Sequence, residues 1–287
     1  MPYNEMQLNL PEFIGYPGAI AIDLDGTLFD SRTHLSTRNR RAIHRCLERE
    51  IPVIIVTSRP TRSVHRYLDN EMTGACSLVL QNGAIALAAP PLSGKFKEPL
   101  PPGLAGNITD IILKIDPGLR ITIEMEGYRF GTNFPRESEE LWEFNSATPD
   151  MQVSLEVALT DEPTKISVSG QVRSILAVIE AITKESGDAV TVISTNEMTF
   201  LNITSCKATK PESLRRLLAS RGITLNNVLA FGDDNPDIGL LQACGIPVAM
   251  ANAIPEVKAL THYCTASNDD DGIAIVLEKM LEDIRKI

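Results

Sequence analysis

The chain has 287 residues, 43% of them hydrophobic and 22% charged, with a formal net charge of -10. That length and balance are those of a globular protein with one large or two modest domains. The acidic charge argues against a nucleic-acid binder, which presents a basic surface, but an anionic small molecule needs only one local cation.

Cys46, Cys76, Cys206, Cys244 and Cys264 lie far apart, without CxxC spacing, so they predict buried thiols rather than a disulfide framework or a zinc site. Met1 to Leu10 shows no basic region followed by an apolar core, and no apolar stretch approaches membrane-spanning length. The expected location is the cytoplasm, with no membrane partner.

The first element is the run Ile20-Ala21-Ile22-Asp23-Leu24-Asp25-Gly26-Thr27-Leu28, bounded ahead by Pro17-Gly18. It reads as a short buried strand that ends in two aspartates one residue apart. Residues two apart in a strand point the same way. If the strand unwinds at Gly26, Asp23 and Asp25 project together from its tip. Apposed carboxylates repel and raise one another's pKa. A hard cation such as Mg²⁺ would relieve that; alternatively the two divide the work, one ionised and one carrying a proton.

Ser36 can cap a helix running to about Arg49 on an Ala42, Ile43, Cys46, Leu47 stripe. Ile51 to Ser58 is an almost continuous apolar run, the mark of a strand covered on both faces. A short helix with Val64, Tyr67 and Leu68 follows, then a third strand, Ser77 to Leu80, ending at Gln81-Asn82-Gly83. This alternation is the βαβ signature of a doubly wound sheet. Prolines punctuate Ala89 to Gly106, which reads as loop.

From about Asn107 to Asn196 the pattern changes. A helix (Ile108 to Ile115) precedes a hairpin, Ile121 to Met125 and Tyr128 to Phe130 around Glu126-Gly127. Lys165 to Val168 reads as a strand, Val172 to Lys184 as a helix, and Val190 to Ser194 and Thr199 to Ile203 as strands. The first pattern returns at Lys210, with Pro211 at the first helical position and Gly222 past the helix end. Val228 to Phe231 is a strand leading to Gly232-Asp233. Asn235-Pro236 opens the next helix and Gly245 closes it. Ile246 to Met250 is a strand, and the last helix runs from about Asp271 to Ile284.

The expected architecture is α/β: a doubly wound, Rossmann-like parallel sheet core with an inserted α+β cap domain. The core takes residues 1–84 and 199–287, the cap 85–198. Only positions 26 to 56 separate Asp25 from Thr57, which the helix and strand fill, whereas positions 58 to 209 separate Thr57 from Lys210. The insertion therefore falls in the second gap, at the sheet end that bears the acids, where it would sit as a lid. Glu124, Glu126, Tyr128 and Arg129 are its candidate substrate face, against the plainer reading of an ordinary hairpin.

Asp23 with Asp25, Thr57, Lys210, and Asp233 with Asp237 all fall at strand ends or helix starts, where open parallel sheets bind ligands. Together they offer a carboxylate nucleophile, a second carboxyl for proton transfer, a hydroxyl donor, a cation and acidic metal ligands. Phosphoryl transfer needs such parts. Lys207 competes with Lys210 as the cation, but Lys210 stands immediately before the helix start.

These residues resemble the haloacid dehalogenase superfamily, and within it the Cof-type phosphatases with a large cap. Asp23-Leu24-Asp25-Gly26-Thr27-Leu28 is similar to the first motif, Val56-Thr57-Ser58-Arg59 to the second, Lys210 to the third, and Gly232-Asp233-Asp234-Asn235-Pro236-Asp237 to the fourth. Gln81-Asn82-Gly83-Ala84 and Ala249-Met250-Ala251-Asn252-Ala253 also resemble stretches of that group. The resemblance implies that Asp23 attacks phosphorus to form an aspartyl-phosphate and that Asp25 protonates the leaving oxygen, then activates water. It implies that Thr57 and Lys210 hold the phosphoryl oxygens, and that Ser58, Arg59, Asn82 and Asn252 contribute to substrate binding. Mg²⁺ would be bound by Asp23, the backbone carbonyl of Asp25 and Asp233, with Asp237 in support.

Three positions depart from the family pattern: Ser58 and Pro211 stand where glycines are usual, and Pro236 where asparagine is common. A proline cannot donate an amide to the metal surroundings, which leaves Asp234 or Asn235 to compensate.

The expected function is a Mg²⁺-dependent phosphatase acting on a small phosphorylated metabolite, as monomer or homodimer. A phosphosugar mutase would use the same aspartyl-phosphate and return the phosphoryl group. A catalytically silent binding module is the non-enzymatic rival. A receiver-type signalling domain is much shorter, and a dehalogenase would lack the second acid and the metal.

Overall fold

The structure, a computed structural model, describes residues 8–134, 137–195 and 197–286. Residues 1–7, which hold most of the segment read for a leader, and Asn196, the expected end of the α+β part, lie outside the described residues.

Five strands come first: β1 (Ala19–Ile22), β2 (Val53–Val56), β3 (Ser77–Leu80), β4 (Ile85–Leu87) and β5 (Lys95–Lys97). Six follow: β6 (Arg120–Glu124), β7 (Phe130–Thr132), β8 (Gln152–Val153), β9 (Lys165–Ser169), β10 (Val190–Thr195) and β11 (Phe200–Ser205). The last are β12 (Val228–Gly232), β13 (Ile246–Ala249) and β14 (Tyr263–Cys264).

The larger sheet has the order β14-β13-β12-β1-β2-β3-β4-β5. Its strands from β14 to β3 are mutually parallel, whereas β4 and β5 are antiparallel additions. Every residue of β1, β2 and β3 is buried. Helices on both faces require that, and unbroken Ala, Ile, Val and Leu supply it. Burying each Ile or Val contributes about 1.5–3 kcal/mol. Among the helices, Thr37–Leu47 begins at Ser36, whose hydroxyl accepts from the Asn39 amide at 3.0 Å, as the sequence predicts.

Strand order decides where ligands can gather. From β1 the chain builds outward through β2 and β3, then returns to the other side of β1 with β12. The order reverses between β1 and β12, and a crevice opens at such a reversal, outside the carboxyl ends. Ile22 pairs with Phe231 and with Ile55, so the ends of β12, β1 and β2 are level. Asp23, Asp233 and Thr57 follow those ends directly.

The smaller sheet has the order β10-β11-β9-β6-β7-β8 and is antiparallel except where β7 meets β8. Each of its main strands alternates. Ile121, Ile123, Ile166, Val168, Leu201 and Ile203 form one cluster with Ile108, Ile112, Ile175, Val178 and Ile182 of the helices Leu104–Ile115 and Val172–Ser186. The opposite positions, including Thr122, Ser167 and Asn202, border cavities shared with the larger sheet's loops. A sheet with one solvated face reads as this alternation.

The boundaries expected at 84/85 and 198/199 do not coincide with the sheets. β4 and β5, in the stretch expected to open the cap and partly in the expected proline loop, extend the larger sheet, while β11 belongs to the smaller. The short β5 lies inside a proline-rich run, and its pairing with β4 is a tertiary fact. The hairpin forms as expected but shifted, pairing Thr122 with Thr132. Among the described residues no helix is long and apolar enough to cross a membrane.

Candidate active site

The chain leaves β1 in a single irregular turn, Leu24–Leu28, with Gly26 at φ 77°. A Cβ at Gly26 would run into the Asp233 carboxylate, so only glycine admits this approach. Thr27 Oγ1 donates to Asp233 Oδ1 at 2.5 Å and ties the two loops together.

Asp23 is buried, and its Oδ1 accepts from Lys210 Nζ at 2.6 Å. The same ammonium donates to Asp237 Oδ1 at 2.6 Å. Lys210 opens the helix Lys210–Ala219 with Pro211 beside it, so its side chain starts from a fixed backbone. Burial disfavours its charge, but Asp23 and Asp237 outweigh that and raise its pKa above the ordinary lysine range. Lys207, the rival cation, is exposed.

Burial, then the neighbouring Asp237 carboxylate, push the Asp23 carboxyl well above its usual range, with Lys210 opposing. Burial pushes Asp233 up to about 7, against the Thr27 hydrogen bond. One ammonium thus serves a crowded acidic cluster. Carboxylate oxygens of Asp23, Asp233 and Asp237 lie within 4.8 Å of one another, a hard-oxygen set that suits a cation such as Mg²⁺. Within that set Asp237 is already engaged. Its Oδ1 meets Lys210, and its Oδ2 accepts from the Asp233 and Asp234 amides at 3.0 and 3.2 Å. Asp237 therefore positions the loop, leaving Asp23 and Asp233 as the side chains with oxygens to offer. Pro236 sits in the first turn of Asn235–Asp237, where its missing amide is no loss.

Asp25 departs from the expectation of two carboxylates projecting side by side. Asp25 is exposed and Asp23 buried. Arg59 grips Asp25 in a two-pronged contact, Nη2 to Oδ1 at 2.6 Å and Nε to Oδ2 at 2.8 Å. Both aspartates still border one cavity of about 340 Å³ with Ser58, Arg59, Lys210, Asp234 and Asp237.

Three expected site residues do not line that cavity. Thr57 is buried behind the Ser58–Arg59 wall, its hydroxyl accepting from the Arg59 amide at 3.1 Å. Asn252 donates to the Gly26 carbonyl at 2.7 Å and accepts from the Asn268 amide at 3.1 Å, so it braces the Asp25 loop. Asn82 is buried at φ 58°, holds the Thr57 carbonyl through its own amide at 3.1 Å, and borders a second cavity behind Lys210. Each supports the loop beside the aspartates from outside the main cavity's lining.

The other wall of the cavity belongs to the smaller sheet: Thr195, Phe200 and Asn202. None was singled out from the sequence. The signal was available, because Leu201 and Ile203 alternate with Asn202 and Thr204, as Ile166 and Val168 do with Ser167 and Ser169, and the residues between the aliphatics face away from their core. Of the expected hairpin face, Glu124 borders a cavity next to the main one. It is locked to Arg62, with Nη1–Oε2 at 2.6 Å and Nη2–Oε1 at 2.8 Å. Glu126 and Arg129 pair with each other, Arg129 also with Asp161, and Tyr128 stacks on His65. Lys165, also unforeseen, is buried and donates to the Ser58 carbonyl at 2.9 Å. Burial pushes its pKa down to about 8 against the nearby Glu124.

Residues 20–277 match a family described as haloacid dehalogenase-like hydrolase. The chain belongs to that family. The expected resemblance therefore holds, and the protein is a hydrolase. Among the proteins it is similar to is the phosphoglycolate phosphatase of Methanothermobacter thermautotrophicus. It is 26% identical over 265 residues, covering 92% of this chain and 98% of that one. The 5-amino-6-(5-phospho-D-ribitylamino)uracil phosphatase YitU of Bacillus subtilis is 26% identical over 270 residues, covering 92% and 97%. The solved structure of the subclass IIB sugar phosphatase BT4131 superposes with a TM-score of 0.73 at 21% identity, covering 91% and 97%. That likeness shows the fold.

Proposed function

We propose that the chain is a Mg²⁺-dependent phosphatase of a small phosphorylated metabolite, working through a phosphorylated Asp23. The observation that carries this reading is Asp23 itself: buried, at the sheet's reversal point, against Lys210 and within 4.8 Å of two further carboxylates. A nucleophilic carboxylate there faces the cavity while Lys210 holds it in place. Relatives named as phosphatases support the same reaction class.

In this reading an Asp23 oxygen forms a bond to phosphorus and the ester oxygen departs, taking a proton from Asp25. Asp25 then removes a proton from water, whose oxygen attacks phosphorus, and the P–O bond to Asp23 breaks to release phosphate. Arg59, in contact with Asp25, steers that carboxyl. Lys210 holds charge beside the attacking oxygen, and Thr57 keeps the second loop in register. Asp23, Asp233 and the Asp25 backbone carbonyl would hold Mg²⁺, whose charge offsets that of the phosphoryl oxygens. We place the catalytic core at about 8–97 and 206–286, with the cap between, a division that the sheet memberships support. Small substrates reach the site from solvent in the cytoplasm, without nucleic acid or membrane.

The test is phosphate release from a panel of phosphate esters with and without Mg²⁺, for the natural sequence and Asp23→Asn. Metal-dependent release that Asp23→Asn abolishes is expected. Isomerised phosphoesters with no free phosphate would favour a mutase, and no turnover at all a binding module.

A further inference from the structure

Three backbone carbonyls lie between β2 and Pro60. The Thr57 carbonyl accepts from the Asn82 amide and the Arg59 carbonyl from the Gln81 amide, each at 3.1 Å, both from the turn that follows β3. The Ser58 carbonyl between them accepts from Lys165 Nζ, across 107 positions and from the cap. Arg59, next in the chain, donates with Nη2 and Nε to Asp25 and with Nη1 to Ser63 Oγ at 2.9 Å. Ser58 is therefore the point at which the cap meets the loop that grips Asp25.

Lys165 opens β9 and is 4% exposed. An ammonium so deep is costly unless its donors are used. Glu124 pairs across from it on β6, but Arg62 already meets that carboxylate with two prongs. Burial and Arg62 oppose the lysine's charge, and Glu124 favours it. An apolar side chain of the same length would not bear that cost, so the hydrogen bond to Ser58 is what the ammonium adds. The residue before it supports the same loop. Thr164 Oγ1 lies 2.5 Å from Gln81 Oε1, and the Gln81 amide is the one that holds the Arg59 carbonyl.

We propose that Lys165 is a positioning residue for Asp25. Its ammonium fixes the Ser58 carbonyl from the cap, so Arg59 leaves a loop held at all three carbonyls and presents both prongs to Asp25. The Asp25 carboxyl is thereby held at the angle from which it acts on the ester oxygen and then on water. Without Lys165 the loop keeps its two core holds but Arg59 gains play, and a misplacement of about 1 Å at a reacting centre can cost roughly 10²-fold. This rests on the phosphatase reading above, which gives Asp25 its part in proton transfer.

Lys165→Met in the full chain, with Mg²⁺, is assayed on p-nitrophenyl phosphate and benzyl phosphate. Nitrophenolate departs with little protonation, whereas the benzyl alkoxide needs a well-placed acid. The loss in kcat/KM is expected to be on the order of tenfold larger for benzyl phosphate, a part of the roughly 10²–10⁴ that a positioned acid supplies. Lys165→Ala should show the same bias and regain part of the benzyl phosphate rate with added ethylammonium, which can enter the adjoining cavity of about 220 Å³. The Arg59 Nε–H resonance, assigned with Arg59→Lys, reads the path without turnover. It should exchange slowly in the natural sequence and shift or exchange faster in both Lys165 variants. Equal losses for the two esters, or an Arg59 resonance unchanged in both variants, would overturn the proposal. A resonance that moves, in a chain that releases phosphate from neither ester, would keep the hold of Lys165 on the Arg59 loop and overturn the phosphatase reading.

Discussion

Arg62 reaches from a core helix, Thr61–Tyr67, into the cap, and its removal should cost far more than a surface ion pair. Its side chain is 3% exposed and that of Glu124 5%. Both prongs of the contact are short, and the remaining donors reach the Asn145 and Tyr128 carbonyls at 2.9 and 3.3 Å. The guanidinium also covers Phe130 at 4.4 Å. Arg62→Met strands a carboxylate away from water, which typically costs about 3–5 kcal/mol. Lys165 lies close enough to Glu124 to take up part of that charge, so the lower end, about 3 kcal/mol, is expected. Against a total stability of about 5–15 kcal/mol that is a large fraction. Urea unfolding of Arg62→Met, Glu124→Gln and the double variant closes a cycle, with an expected coupling of about 1–3 kcal/mol. Because the pair joins core to cap, Arg62→Met should also lower kcat/KM for metabolite esters more than for p-nitrophenyl phosphate. A coupling within about 0.3 kcal/mol of zero would refute the clamp.

Lys210→Ala should reduce phosphate release by roughly 10²–10³, the usual scale for one charge at a reacting centre, while Lys207→Ala stays within about twofold. The reverse ranking in steady-state assays would place the cation wrongly. Arg59→Lys should lower kcat at least about tenfold, because an ammonium cannot reproduce the two-pronged hold on Asp25. Unchanged kcat would remove Arg59 from the mechanism. In the metal-free protein Asp233 keeps its proton to about pH 7, whereas an unfolded chain releases it near the ordinary 3.8. The folded state then holds the extra proton, so this group's contribution, complete below the unfolded value, fades as pH rises through 7. Mg²⁺ competes with that proton and should raise Tm more at pH 8 than at pH 5.5. Equal increments in paired melts with Mg²⁺ or chelator would contradict it.

The residues gathered around Asp23 were legible in the sequence because local rules place them at strand ends and helix starts. Two aspartates after an apolar run, a lysine opening a helix beside proline, and an aspartate after glycine at a strand end are positions of short range. The doubly wound sheet followed from the same runs, and the insertion from the distance between Thr57 and Lys210. Which acid is buried, and which is held outside by Arg59, depends on a contact spanning 34 positions. That Asp237 spends its oxygens on Lys210 and two amides also came only from the folded arrangement. Sheet membership was misread at β4, β5 and β11 because strands of three residues or at a junction carry little periodicity, and pairing partners decide them. The cap's working face shows the division most clearly. Alternation in the sequence separates Asn202 and Ser167 from their aliphatic neighbours. Only the packing of Leu201, Ile203, Ile166 and Val168 against two helices turns the polar side towards Asp23.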